Sequence, residues 1–479
     1  MPAVPLRPAP SVDRSGLDRL CSAVADAVAR WDGAAVLRVA VPAEPADALA
    51  WLDAQTLGPR LAWSGRDDDE SRAAVGAALA VEAHTLDATA AVDAALALLP
   101  ADARLYGTVR FDTRADAAPE WAPFGSVRFV LPRAELVVTG RSAVLAAHVA
   151  PGERLGRVLA DLARLVPALV TTPETLPYVE RRADRPGKTE WAAAVRWALG
   201  AFVPQAGAAA ALGKVVLARR ADLTFDAPVD PVDLLRRLVP ATPRCFHLLV
   251  DPGAGAGAFV SATPERLFRL DMLASGERRL TTEAVAGTRP RAADDAADDA
   301  LLGELLGSEK DRREHAFVRD AIADRLAPLS TRVDVDAQAG AMTLARGRHL
   351  RTGITATLAP ATTALDVLRA LHPTPAVGGT PREAAREAID RLEPFDRGLY
   401  AGAVGWIGRD AAGAEAAEFA VGIRSALVRG RDVSLYSGAG IVAGSDPDAE
   451  WAEIEQKLAD FARVLGTEPE ASPAPRVAV

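Results

Sequence analysis

Residues 308–320 read SEKDRREHAFVRD. On a helix, side chains three apart share a face, which sets Asp311 beside Glu314. The stretch EWAEIEQKL repeats the arrangement, with Glu450 beside Glu453 and Lys457 one turn further on. Like charges at this spacing weaken a helix unless a cation offsets them. Two such pairs facing one another would make a hard, oxygen-rich site, of the kind Mg²⁺ accepts while keeping waters and a substrate oxygen. The competing reading is two solvated faces, because Lys310, Arg312, Arg313 and Lys457 are interleaved with the acids.

Both acid pairs need helices under them. ADDALLGELLGSEKDRREHAFVRDAIADRL (296–325) reads as one long helix, and DPDAEWAEIEQKLADFARVL (446–465) as another, opened by Asp446 as N-cap and Pro447 in the first turn. RPGKTEWAAAVRWALGAF (185–202) is amphipathic, with Trp191, Val195 and Ala198 on one side. Strand-like runs surround these: AAVLRVAV, SVRFVLPRAELVVTG, GKVVLARR, FHLLVD, GAFVSATPE, LYAGAVGWIG, FAVGIRSALV and RDVSLYSGAG. Strands mixed with helices, without a strict βαβ rhythm, predict an α+β fold with a large, mostly antiparallel sheet flanked by helices. No fixed-period repeat or long linker is seen over 16–465, a length that by itself allows two to three nominal domains. The proline-rich segments 1–15 and 466–479 are expected to be loose ends.

The 479 residues carry a net charge of −9, and no basic block is available to neutralise phosphates, which argues against nucleic acid as partner. An anionic ligand would have to find its positive charge locally, from arginine, backbone N–H groups or a metal. Cys21 and Cys245 stand far apart, so neither a disulfide framework nor a zinc site is expected. MPAVPLRPAPSVDR lacks the apolar core of a signal peptide, and no run approaches ~18 uncharged apolar residues. A cytoplasmic protein without membrane contact is expected.

Several stretches, taken together and in order, resemble the chorismate-utilising enzymes, and within them isochorismate synthase: GKVVLARR, SATPERL, AVAGTRPR, SEKDRREH, LHPTPAVGGTP, LEPFDRGLYAGAVGW, FAVGIR and YSGAGIVAGSDPDAEW. The resemblance is most specific over 190–465. It implies one large domain with its active site in a cleft of the sheet, a requirement for Mg²⁺, and chorismate as substrate. By position, Glu314 and Glu453 resemble the direct metal ligands, and Asp311 and Glu450 acids acting through metal-bound water. The arginines of the charged stretch are then expected to face away.

The implied reaction adds water at C2 of the chorismate ring, shifts the double bonds and expels the C4 hydroxyl, which needs a base, an acid and charge neutralisation. Lys214 matches the base; it opens an alternation that puts Lys214, Val216 and Ala218 on one face. An ordinary lysine is protonated at neutral pH, so such a role needs burial, and a snorkelling edge-strand lysine is the plain alternative. Glu265 matches the general acid, which must be held protonated by burial or by other carboxylates; alternatively it is a strand-end glutamate paired with Arg266. Thr263 stands where many relatives have serine. The pyruvyl carboxylate of the substrate is expected at Arg424, Tyr400 and the backbone around Gly438 and Gly440, although some relatives have phenylalanine in place of Tyr400. Gly287 and Thr288 resemble the loop that closes over the other carboxylate.

Within the family, aminating members lack the lysine base, and one of them has a lysine where this chain has Ala286. Salicylate synthases typically have threonine in place of Ala376. Lys214, Ala286 and Ala376 therefore point to isochorismate synthase, with salicylate synthase as the alternative and a non-catalytic chorismate binder as a further one. The product would serve menaquinone or siderophore biosynthesis, and a monomer is expected. His372, bracketed by prolines, is read as structural.

Overall fold

The run KVVLARRADLTF, buried throughout its first half and alternating over its second, makes a twelve-residue strand, Lys214–Phe225, and its pairing shows how the halves of the chain are joined. The computed structural model describes residues 12–44, 47–67, 69–168, 175–202, 212–292 and 294–467. Among these, two antiparallel sheets of twelve and ten strands form the body of the protein. In the larger sheet, the strands of residues 37–149 join the rest where Arg60–Ser64 pairs with Phe246–Asp251. In the smaller sheet the corresponding seam is Arg104–Val109 against Ala403–Arg409. Both sheets thus draw on the first and last thirds of the sequence, and one continuous apolar core lies between and around them.

Lys214–Phe225 is an interior strand. It pairs with Asp432–Ile441 along one side, and with Gly379–Thr380 and Val179–Arg185 along the other. That accounts for its run of buried residues, and it removes the edge-strand reading of Lys214, whose side chain is fully buried.

The long helix expected over 296–325 is two helices, Asp295–Gly307 and Glu309–Leu326. Ser308 interrupts them with extended backbone (φ −68°, ψ 119°), and its hydroxyl accepts from the N–H of Asp311, capping the second helix. The final helix, Pro447–Val464, starts as expected, with the Asp446 carboxylate accepting from Asp448 and Ala449. Of the expected loose ends, residues 1–11 and 468–479 lie outside the described residues. Residues 12–15 do not fit that description: Val12 is buried and Asp13 caps the helix Arg14–Val28.

The strand-like run FAVGIRSALV belongs to both sheets. Glu415–Val421 lies in the smaller sheet and Ser425–Arg429 in the larger, and the chain passes between them at Gly422–Arg424. A second crossing joins Ala258–Thr263 of the larger sheet to Arg266–Met272 of the smaller, through Pro264 and Glu265.

Candidate active site

The two crossings lie against each other. Val421 N–H donates to the Glu265 carbonyl and Ala262 N–H to the Arg424 carbonyl, each at 3.0 Å. Where the sheets part, a cavity of about 80 Å³ opens, lined by Glu265, Gly287, Thr288, Glu314, His349, Ala376, Tyr400, Arg424, Gly438, Gly440, Glu453 and Lys457. Most of the residues singled out from the sequence therefore meet in one place. Lys214, Asp311 and Glu450 stand just behind the wall.

The acids arrive near helix starts, Asp311 and Glu450 in the first turns, where the macrodipole favours negative charge. Glu314, in the second turn of Glu309–Leu326, reaches Lys214 Nζ at 3.0 Å. Glu453, in the second turn of Pro447–Val464, is 2.6 Å from Lys457, whose ammonium also donates to the Gly438 carbonyl at 2.9 Å. Burial would raise the Glu453 carboxyl, but the charge and hydrogen bond of Lys457 hold it below the usual carboxylate range. Behind them, Glu450 pairs with Lys310 at 2.6 Å and Asp311 with Arg289 at 2.8 Å. Burial, with Glu453 beside it, pushes the Glu450 carboxyl up. Arg312 and Arg313 are exposed, as expected, yet Lys310 of the same stretch turns inward to Glu450.

Glycine makes this crowding possible. A Cβ on Gly440 would sit 2.1 Å from Glu314 Oε1 and 3.2 Å from Lys214 Cε, and one on Gly438 would sit 2.8 Å from the Tyr400 hydroxyl. Gly287 has φ +78° and interrupts the register between Arg278–Pro290 and Gly347–Leu358, a bulge that turns its backbone onto Asp311.

Glu265 is buried, and its carboxyl is pushed up to about 8, by desolvation first and then by the negative charge of Glu283, against the pull of Lys214, Lys457 and Arg66. The alternative pairing with Arg266 is not made: that guanidinium binds Glu418 and Asp67. Arg424, at φ +47°, holds Asp460 at 3.2 Å with one nitrogen and faces His349 Nε2 at 3.3 Å with another. Tyr400 stacks on Tyr436 with centroids 5.5 Å apart, and burial raises its hydroxyl pKa.

His349 and Lys457 line the cavity without having been read as site residues from the sequence. Burial, then Arg424 and Lys457, pushes the His349 ring down to about 3, so it is neutral. Accepting from Arg424 at Nε2 leaves Nδ1 to carry the hydrogen, within 3.2 Å of the Gly287 carbonyl and 3.1 Å of Thr288 Oγ1. His349 thus fastens the glycine bulge to Arg424. His372 points elsewhere: Nε2 lies 2.9 Å from the Arg110 carbonyl, a structural contact.

As a metal site, the cavity supplies two carboxylates, Glu314 and Glu453, on opposite helices, and oxygen donors completed by water suit Mg²⁺. The four acids do not gather into one cluster. Among the described residues no three acid, histidine or cysteine side chains converge on a common point, because Asp311 and Glu450 are each engaged by a cation of their own. Glu314 and Glu453 supply the carboxylate oxygens a divalent ion takes, while Asp311 and Glu450 each keep a cation of their own.

The chorismate binding enzyme family matches residues 22–466. Isochorismate synthase 2, chloroplastic, of Arabidopsis thaliana is 37% identical over 376 residues, which span 76% of this chain and 64% of the plant protein. Isochorismate synthase MenF of Escherichia coli is 31% identical over 464 residues, 95% of this chain and 99% of that one. The solved structure of MenF, the menaquinone-specific isochorismate synthase from E. coli, superposes with a TM-score of 0.77 at 30% identity, covering 93% of this chain and 99% of that one. This chain belongs to the chorismate binding enzyme family.

Proposed function

We propose that this chorismate binding enzyme is a Mg²⁺-dependent isochorismate synthase. The observation that carries the reading is one cavity holding a carboxylic acid kept protonated near neutrality, two glutamates brought in by separate helices, and an arginine fixed at the opposite sheet crossing. The likeness to MenF, over more than nine-tenths of both chains, supports it.

Glu265, with its carboxyl pushed up to about 8, carries a proton at neutral pH and can give it to the departing C4 hydroxyl. Lys214, fully buried behind Glu314, is the base that takes a proton from the water adding at C2. One water enters and one leaves, so the sum is an isomerisation. The remaining N–H donors of Arg424 receive the pyruvyl carboxylate, and Ala376 leaves the ring side of the cavity without a hydroxyl. Glu314 and Glu453 would hold Mg²⁺, which when bound supplies positive charge for the ring carboxylate.

Incubating the purified protein with chorismate and Mg²⁺, with and without EDTA, and separating the products tests this. Isochorismate alone, lost with EDTA, is the expected result. Salicylate with pyruvate would make the chain a salicylate synthase, and no turnover would leave a binding protein.

A further inference from the structure

The Glu265 side chain enters the cavity from a two-residue crossing between sheets, a place where backbone is usually free to shift. Here it is pinned on both sides. The Pro264 carbonyl accepts from Arg66 Nη1, and the Arg266 N–H donates to Glu283 Oε1 at 3.3 Å. Arg66 and Glu283 are themselves paired through both carboxylate oxygens, and Arg351 Nε adds a third bond to Glu283 Oε2 at 2.6 Å. Arg66 comes from the turn between Arg60–Ser64 and Glu70–Val75, nearly two hundred residues before Glu265 in the chain (|i−j| = 198 for Arg66 to Pro264). Glu283, on Arg278–Pro290, has a side chain only 1% exposed.

We propose that Glu283, with Arg66 as its clamp, is a positioning residue that aims Glu265 into the cavity and sets the pH range over which it works as an acid. The inference rests on the reading of Glu265 as general acid given above. A carboxylate held ionised by two arginines is a fixed negative charge. Its field adds to the desolvation of Glu265, while Lys214, Lys457 and Arg66 oppose it. Arg424 and the neutral His349 face the same cavity from the other crossing and from Gly347–Leu358, and Glu314 and Glu453 face it from the helices. A mere tether would hold the turn without moving the acid's titration.

The test is the pH dependence of kcat/KM for chorismate at saturating Mg²⁺ in the full-length enzyme. Glu283→Gln keeps the shape and one acceptor oxygen, removes the charge and leaves Arg66 only Asp67 to offset it, so the alkaline limb should move to lower pH. A shift of about one unit from near 8 lowers the protonated fraction at pH 8 about five-fold and leaves pH 6 nearly unchanged. Arg66→Gln removes a positive charge instead and should move the limb upward; it carries the test if Glu283→Gln folds poorly. Limbs coincident with wild type in the folded variants would overturn the inference, leaving Glu283 a structural tether. A wild-type enzyme that does not turn over chorismate would overturn the function itself, a separate outcome.

Discussion

Gly440→Ala is the substitution that most directly tests whether Glu314 works beside Gly440. The added methyl would lie 2.1 Å from Glu314 Oε1 and 2.9 Å from Glu314 Cδ, so the carboxylate must retreat by about 1 Å to reach ordinary contact. The obstacle is the far end of a flexible side chain rather than backbone, which puts the overpacking cost at about 1–3 kcal/mol. If the retreat also broke the 3.0 Å contact with the fully buried Lys214, the lost pairing would add about 3–5 kcal/mol. Together the two come to about 4–8 kcal/mol, short of the upper part of the usual stability range of roughly 5–15 kcal/mol, so the variant should fold with a lowered melting temperature. Its function should suffer more. With Glu314 displaced, the Mg²⁺ concentration for half-maximal activity should rise about ten- to hundred-fold, as when the support of a metal ligand is disturbed. Gly200→Ala serves as control: nothing lies within 4 Å of the new methyl, and helix propensity predicts a gain of about 0.5–1 kcal/mol. Isochorismate formation titrated against Mg²⁺, together with thermal melts, reads both. A folded Gly440→Ala enzyme with a wild-type Mg²⁺ titration would refute the assignment of Glu314.

Glu265→Gln should lower kcat by about 10²–10⁴ with chorismate binding retained, because the amide keeps the shape but has no proton to give; turnover within a few-fold of wild type would exclude the acid role. In wild type, activity should fall as pH rises through about 8, as Glu265 loses its proton. Lys214→Ala should abolish water addition while Mg²⁺-dependent chorismate binding stays measurable by calorimetry, and full activity would exclude Lys214 as base. Ser308→Ala should cost about 1 kcal/mol in unfolding experiments through loss of the cap on Glu309–Leu326.

The sequence made local structure legible where the signal was local. Asp446 and Pro447 announced a helix start to the residue, and the strand-like runs GKVVLARR and FHLLVD marked the strands Lys214–Phe225 and Phe246–Asp251. The break at Ser308 was also written there, as Gly307 followed by Ser308 three residues before Asp311, but leucines and charges at helical spacing on both sides masked it. The burial of Lys214 was not legible, since it depends on strands that lie far away in the chain closing over both edges. His349 escaped for the same reason: its contacts to Gly287, Thr288 and Arg424 span 62, 61 and 75 residues. The resemblance named the residues carrying the chemistry; the structure adds which cation each acid keeps, and those pairings follow from packing rather than spacing.

The two sides of the cavity are held by different means. Glu265 and Arg424 sit on sheet crossings whose backbones bond to each other's strands, so their separation is fixed by main-chain hydrogen bonds inside the core. Glu314 and Glu453 ride on helices packed against the sheets, and their carboxylates are held by side-chain ion pairs, Glu314 with Lys214 of the sheet and Glu453 with Lys457 one turn along its own helix. Ion pairs between flexible side chains yield more readily than a paired backbone, because only rotamers need change. Disturbing a helix start should therefore loosen the metal side and leave the acid alone. Ser308→Ala offers that separation: the Mg²⁺ requirement should rise while the alkaline limb near pH 8 stays where it is. If the limb moved along with the Mg²⁺ titration, the acid would be coupled to the helix, and the sheet crossings would not be what fixes it.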